Sequence, residues 1–122
     1  MVDAETCYPN EACGFVAGLS NTVGSIFPVT NLSASPNRFQ MKPDEQISTM
    51  HHIDAMGLAI LGIYHSHPTG PDTPSTVDID EFHYPGILVI ICSCRDQGWV
   101  VRAYSIHDKL CIPVPIIVSV NP

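Results

Sequence analysis

Leu58-Ala59-Ile60-Leu61-Gly62-Ile63-Tyr64 is a continuous apolar run that ends on His65-Ser66-His67. It is followed by Pro68-Thr69-Gly70-Pro71-Asp72-Thr73-Pro74-Ser75-Thr76-Val77-Asp78. A short apolar run bounded by Gly57 on one side and a polar triplet on the other reads as a central strand covered on both faces. Two histidines at i and i+2 of an extended strand project to the same side, with Ser66 turned away. Their imidazoles can therefore converge on one ion. Pro68, Gly70, Pro71 and Pro74 make the next stretch a stiff loop. Ser75 then opens a short helix in a Ser-x-x-Asp arrangement, a capping box with Asp in the usual Glu place.

Outward from this centre the chain alternates strands and turns. Ala12 to Leu19 and Val23 to Val29 read as a β-hairpin joined by Ser20 to Thr22. The Ser-, Asn- and Pro-rich stretch from Asn31 to Asn37 reads as a loop, followed by a short extended segment from Arg38 to Met41. Pro43, with Asp44 and Glu45 behind it, suits a helix start. Ile47, Met50, Ile53 and Ala55 or Met56 then keep helical spacing, which predicts a helix from about Pro43 to Met56 with Gly57 as its stop. Three further strands are expected at Gly86 to Cys92, Trp99 to Ile106 and Cys111 to Val120. Asp96-Gln97-Gly98 makes the first two a hairpin. The sum is a mixed, largely antiparallel sheet with helices on its faces.

The donor chemistry points to zinc. A catalytic zinc site uses three protein ligands, and two His with one carboxylate is a known set. Asp78 is the carboxylate of choice, because the proline-rich loop can fold the first turn of its helix back to the strand end. Such a centre also needs a carboxylate that accepts a proton without ligating the metal. Glu11, at the mouth of the first strand, is the candidate. Each residue has a plainer reading. A His pair at a strand end is more often structural, Ser75 and Asp78 could simply cap a helix, and Glu11 alone could be a surface carboxylate. It is the spacing of all of them together that favours a metal centre.

That spacing, an upstream Glu followed by His-x-His, seven residues, Ser, two residues and Asp, resembles the signature of the JAMM (MPN-plus) metallopeptidase family, filled here by Glu11, His65, His67, Ser75 and Asp78. Glu11-Ala12-Cys13-Gly14-Phe15-Val16-Ala17-Gly18 looks like the strand that bears the family's Glu. Pro36-Asn37-Arg38-Phe39 followed by a helix is similar to the small prokaryotic members. The resemblance covers nearly the whole chain. It implies a cytidine-deaminase-like α/β/α sandwich and hydrolysis of an amide or isopeptide bond by a zinc-bound water. By the same resemblance one Zn2+ is held by His65, His67 and Asp78, Glu11 deprotonates the water, and Ser75 hydrogen-bonds the oxyanion. The implied substrate is the Gly-Gly tail of a ubiquitin-like or sulfur-carrier protein. A small peptide or cell-wall stem substrate is the runner-up, and a non-catalytic binding scaffold is the alternative from another class. A nucleobase deaminase would carry His-x-Glu with Pro-Cys-x-x-Cys, and neither is present.

Composition narrows the rest. The 122 residues are expected to form a single domain spanning 1–122, with 45% hydrophobic and 14% charged residues. Twelve acidic against five basic residues give a formal charge of −7, which disfavours nucleic acid and anionic membrane partners. The apolar runs are too short to span a bilayer and no secretory signal is visible at the amino terminus, so a cytoplasmic address is expected. Ten residues precede Glu11, room for a short first helix. Five cysteines, at 7, 13, 92, 94 and 111, are odd in number and irregularly spaced. Buried reduced thiols fit them better than a disulfide framework, with Cys13 sharing Glu11's face of the strand. His51 and His52 belong to no His-Glu-x-x-His motif and read as surface or interface residues, and His83 and His107 lack partner spacing and read as having no role at the site. A homo-oligomer stays open.

Overall fold

The computed structural model describes residues 10–33, 39–68, 70–82, 84, 86–95 and 98–117. Strands β1 (Cys13–Leu19) and β2 (Thr22–Val29) form the expected hairpin. Ser20 and Asn21 take φ of 49° and 66°, the left-handed pair that a tight hairpin turn demands. Helix α1 spans Pro43–Ala55, with Pro43 in its first turn. Its acidic start is used structurally: Glu45 Oε1 accepts from the backbone N–H and the hydroxyl of Thr30, just beyond β2. Gly57, at φ 74°, turns the chain out of the helix. Ile53 is the one buried residue of α1, whereas Ile47 and Met56 stay exposed, so the helix packs through Ile53 and Met50 rather than its whole expected stripe. The extended segment expected at Arg38 to Met41 reduces, among the described residues, to a single bridge between Asn31 and Met41.

Strand β3 (Ala59–His67) runs three residues further than the apolar run suggests, so both histidines lie inside it. A short helix α2 (Thr76–Glu81) follows, capped by Ser75. Strands β4 (Leu88–Arg95), β5 (Gly98–His107) and β6 (Leu110–Val114) complete a six-stranded sheet in the order β2-β1-β3-β4-β5-β6. The β3/β4 pair is parallel and the other pairs are antiparallel. A parallel pair needs a crossover, and here the crossover is the segment that carries α2. Pro28 is tolerated because β2 is an edge strand. The turn at 96–97 and the end of the last expected strand, at 118–120, lie outside the described residues.

Alternation along the strands divides the sheet into two faces. One face carries Cys13, Phe15, Ala17 and Ile63, which pack with Val29, Met41 and Ile53 of α1. On the same face Val89, Ile91 and Tyr104 pack with Phe82, just after α2. Both described helices therefore lie over one side. The other side carries Ala12, Cys92, Trp99 and Val101. The first helix expected ahead of Glu11 falls on residues 1–9, outside those described. The architecture is mixed α/β. No helix among the described residues is long and apolar enough to cross a membrane. Cys13 and Cys92 are buried, while Cys94 and Cys111 are only half-buried; Cys7 is outside the described residues.

Candidate metal centre

The centre forms where β3 ends between its two neighbours. His65 is registered against Cys13 of β1 and Ile91 of β4, and His67 against Ser93 of β4. Ladder pairing on both sides explains how so polar a triplet becomes buried. Ser66, pointing to the opposite face, accepts a hydrogen bond from Ala12 N at 2.7 Å, and its own N–H donates to the Ala12 carbonyl at 3.0 Å. This clip fixes the residue after Glu11. The Asn31 amide donates to the Glu11 carbonyl at 3.0 Å, and Asn31 Oδ1 accepts from the N–H groups of Ser33 and Gln40. Glu11 is thereby held from both sides, and only 3% of it is exposed.

Three donor atoms meet in a near-equilateral triangle. His65 Nε2 and His67 Nε2 are 3.1 Å apart, and Asp78 Oδ2 lies 3.0 Å from the first and 3.1 Å from the second. The edge of a tetrahedron built on zinc bonds of ~2.0–2.1 Å is about 3.3–3.4 Å, so the triangle fits one face of such a coordination shell with little adjustment. Glu11 forms a second grouping with the same two imidazoles, its ligand atoms lying within 4.8 Å of one another. Asp78 makes the tighter set with the two imidazoles, and Glu11 lies beside the triangle. Asp78 owes its place to the capping box. Ser75 N donates to Asp78 Oδ2 at 2.8 Å, and Asp78 N donates to Ser75 Oγ at 3.0 Å. Ser75 keeps its own hydroxyl proton to donate elsewhere.

The rings are held from behind. Phe39 stacks on His65 with centroids 4.4 Å apart. His67 Nδ1 lies 2.8 Å from the Pro71 carbonyl, which can only accept. That bond places a proton on Nδ1, so Nε2 offers its lone pair to an ion or, in a ring protonated without one, donates to Asp78 Oδ2. His65 Nδ1 and the Ser93 hydroxyl are buried without a hydrogen-bond partner among the described residues.

Electrostatics separates the two carboxylates. Burial raises Glu11 to about 7, with the nearby Asp78 charge adding to the rise and His67 opposing it. Asp78 is also pushed up by burial, but hydrogen bonds from His65, His67 and the Ser75 N–H overcome this and hold it well below the usual carboxylate range. Burial lowers His65. Burial acts on His67 in the same sense, yet its bonds to Asp78 and Pro71 and the charges of Asp78 and Glu11 leave it raised. A cavity of about 220 Å³ adjoins the triangle on the His65, Ser75 and Asp78 side, walled by Phe39, Met41, Ile63, Phe82 and Tyr84 among others.

All five residues singled out in the sequence are thus gathered at one centre. Cys13 is near it but its thiol donates to the Val29 carbonyl at 3.4 Å, which is packing chemistry. His51 and His52 are exposed, as expected, His107 is exposed too, and His83 is outside the described residues. Sequence reasoning missed Asn31, the Ser66 hydroxyl, Phe39 and the Pro71 carbonyl. Only the bracketing of Ser66 by two candidate ligands could have drawn attention to any of them.

Fold and site together define a class: mixed α/β domains that gather two imidazoles and a carboxylate at the end of a central strand. Comparison with known proteins narrows this. The profile of prokaryotic homologs of the JAB domain matches residues 1–107. The chain belongs to that family. It is 38% identical over 88 residues to a protein of Haloferax volcanii named desampylase, covering 70% of this chain and 63% of that one. It is 28% identical over 119 residues to the CysO-cysteine peptidase of Mycobacterium tuberculosis, covering 95% of this chain and 82% of the peptidase. The solution structure of a Desulfitobacterium hafniense protein superposes with a TM-score of 0.86 at 31% identity, covering 97% of this chain and 84% of that one. The match thus spans a little under two thirds of the Haloferax protein.

Proposed function

We propose that this protein is a zinc-dependent peptidase that hydrolyses the amide bond after the C-terminal Gly-Gly tail of a ubiquitin-like or sulfur-carrier protein. The observation that carries the reading is the triangle of His65 Nε2, His67 Nε2 and Asp78 Oδ2, with edges of 3.0–3.1 Å and a buried Glu11 beside it. Membership of the JAB family supports hydrolysis. The names of the Haloferax and Mycobacterium relatives support the substrate class.

In this reading His65, His67 and Asp78 hold the ion. Zinc bound there would supply a Lewis acid and bring the pKa of a water down toward ~7. Glu11 accepts the proton from the attacking water and returns it to the leaving nitrogen. Burial raises Glu11 in the metal-free site and a bound cation would oppose that rise, so Glu11 would meet the water as a carboxylate able to take its proton. Asp78, which accepts from the Ser75 N–H and would ligate the ion as a carboxylate, does not compete for that proton. Ser75, with its acceptor side engaged by Asp78 N, directs its hydroxyl proton to the oxyanion of the tetrahedral intermediate.

The test joins metal analysis to cleavage of a fusion placed directly after a β-grasp protein's Gly-Gly tail. One zinc per chain is expected in both the parent and Glu11→Gln, with turnover in the parent alone. A metal-free parent, or equal turnover in the variant, would overturn the assignment. A cross-linked stem peptide is expected to remain intact.

A further inference from the structure

The loop between β3 and α2 has to cross the sheet and deliver Asp78 to the histidines, and it is tied down along the way. Tyr104, on β5 two strands away from β3, donates its hydroxyl to the Asp72 carbonyl at 2.6 Å. Arg102, two residues earlier on the same face of β5, brings Nε within 3.6 Å of Asp72 Oδ2. The residue before Asp72 is Pro71, whose carbonyl fixes the His67 ring at 2.8 Å. Pro71 has its φ set by its own ring. With the Pro71 carbonyl on His67 and the Asp72 carbonyl on Tyr104, the peptide between them is restrained at both ends. The Tyr104 ring is itself locked in the cluster with Val89 and Ile91, and only 7% of the residue is exposed. An anchor on the rigid sheet thus reaches the metal centre through two consecutive residues of loop.

We infer that Tyr104 is a positioning residue for the metal centre: by holding the Asp72 carbonyl, its hydroxyl keeps the Pro71 carbonyl against His67 Nδ1 and so presents His67 Nε2 as a ligand. The inference rests on the metal-centre reading above and extends it to a residue that touches neither ion nor substrate. Arg102 contributes less, because its side chain is 59% exposed and an ion pair at that exposure is weak.

Tyr104→Phe isolates the effect, since the ring stays packed and only the hydroxyl is lost. Two measurements on the full chain separate positioning from plain stabilisation. Zinc affinity, by competition with a chromophoric chelator, is expected to fall about tenfold, the lower end of what removing an outer partner costs a metal site. The visible absorption of the cobalt-substituted protein is expected to shift as the His67 ring reorients. A purely structural hydroxyl would lower the melting temperature of the metal-free protein while leaving affinity and cobalt spectrum unchanged, and that result would overturn the inference alone. If the parent binds no zinc, both this inference and the peptidase reading fall.

Discussion

Glu11 and Asp78 are carboxylates at one centre, and their surroundings push them in opposite directions. Asp78 receives three hydrogen bonds and stays ionised, while Glu11 is buried with little to compensate its charge and rises to about 7. A consequence for stability follows. In the unfolded chain Glu11 ionises near its usual value; in the metal-free fold it holds its proton up to about 7. The fold's affinity for that proton stabilises it at low pH, and the advantage is lost as pH rises through about 7. Glu11→Gln is therefore expected to stabilise the metal-free protein at pH 8, by up to about 3 kcal/mol, and to bring no gain at pH 4. Denaturant melts at the two pH values check this; an equal effect at both would mean the burial penalty on Glu11 is absent. The five candidate residues were legible in the sequence because the proposed chemistry asks for those side chains at a fixed spacing. The Pro71 carbonyl and the Asn31 amide were not. A backbone carbonyl leaves no mark in a sequence, and Asn31 acts on residues twenty positions upstream and nine downstream.

Helix α2 is six residues long, too short to be stable by propensity, and its capping box also forms the metal centre's third side. The two halves of that box have different fates in Ser75→Ala. The hydroxyl that caps Asp78 N is lost, at a cost of about 1 kcal/mol. The Ser75 backbone N–H that holds Asp78 Oδ2 is retained. Zinc content is therefore expected to be unchanged while kcat drops about 100- to 1000-fold, as for other single oxyanion donors. Loss of zinc would show instead that the side chain serves Asp78. Elements were legible unevenly. Gly57, Pro43 and the capping box marked both helices, because terminal chemistry is local. Strand β3 ran three residues past its apolar stretch because pairing with β1 and β4 buries His65, Ser66 and His67, which no single-strand pattern reveals. Ile47 and Met56 kept helical spacing and yet face outward, since α1 meets the sheet over a narrow strip centred on Ile53.

Across the whole molecule, the β1/β2 and β4/β5 hairpins were readable from their turns, but the β5/β6 hairpin and the β3/β4 parallel pairing were not, the latter because nothing local distinguishes a crossover from a long loop. That pairing puts the segment bearing the proposed ligand Asp78 between the two central strands, so binding of a metal there would be thermodynamically linked to the fold. Zinc at a thousandfold excess over its dissociation constant is expected to add about 4 kcal/mol to stability. Chelation should lower the melting temperature and zinc restore it, whereas a melting temperature indifferent to zinc would argue against binding to the native state. The donors also differ in how far apart they lie along the chain. His67 and Asp78 are eleven residues apart, while Ala12, beside the proton acceptor, joins Ser66 across fifty-four. Loop closure is entropically easier for the shorter span. If the metal centre is as proposed, a chain that has closed only this short loop would already bring the imidazoles and Asp78 together, while the upstream carboxylate would arrive with the amino-terminal hairpin. Capture and reactivity would then fall at different moments of assembly, and a half-folded molecule would be loaded but inert.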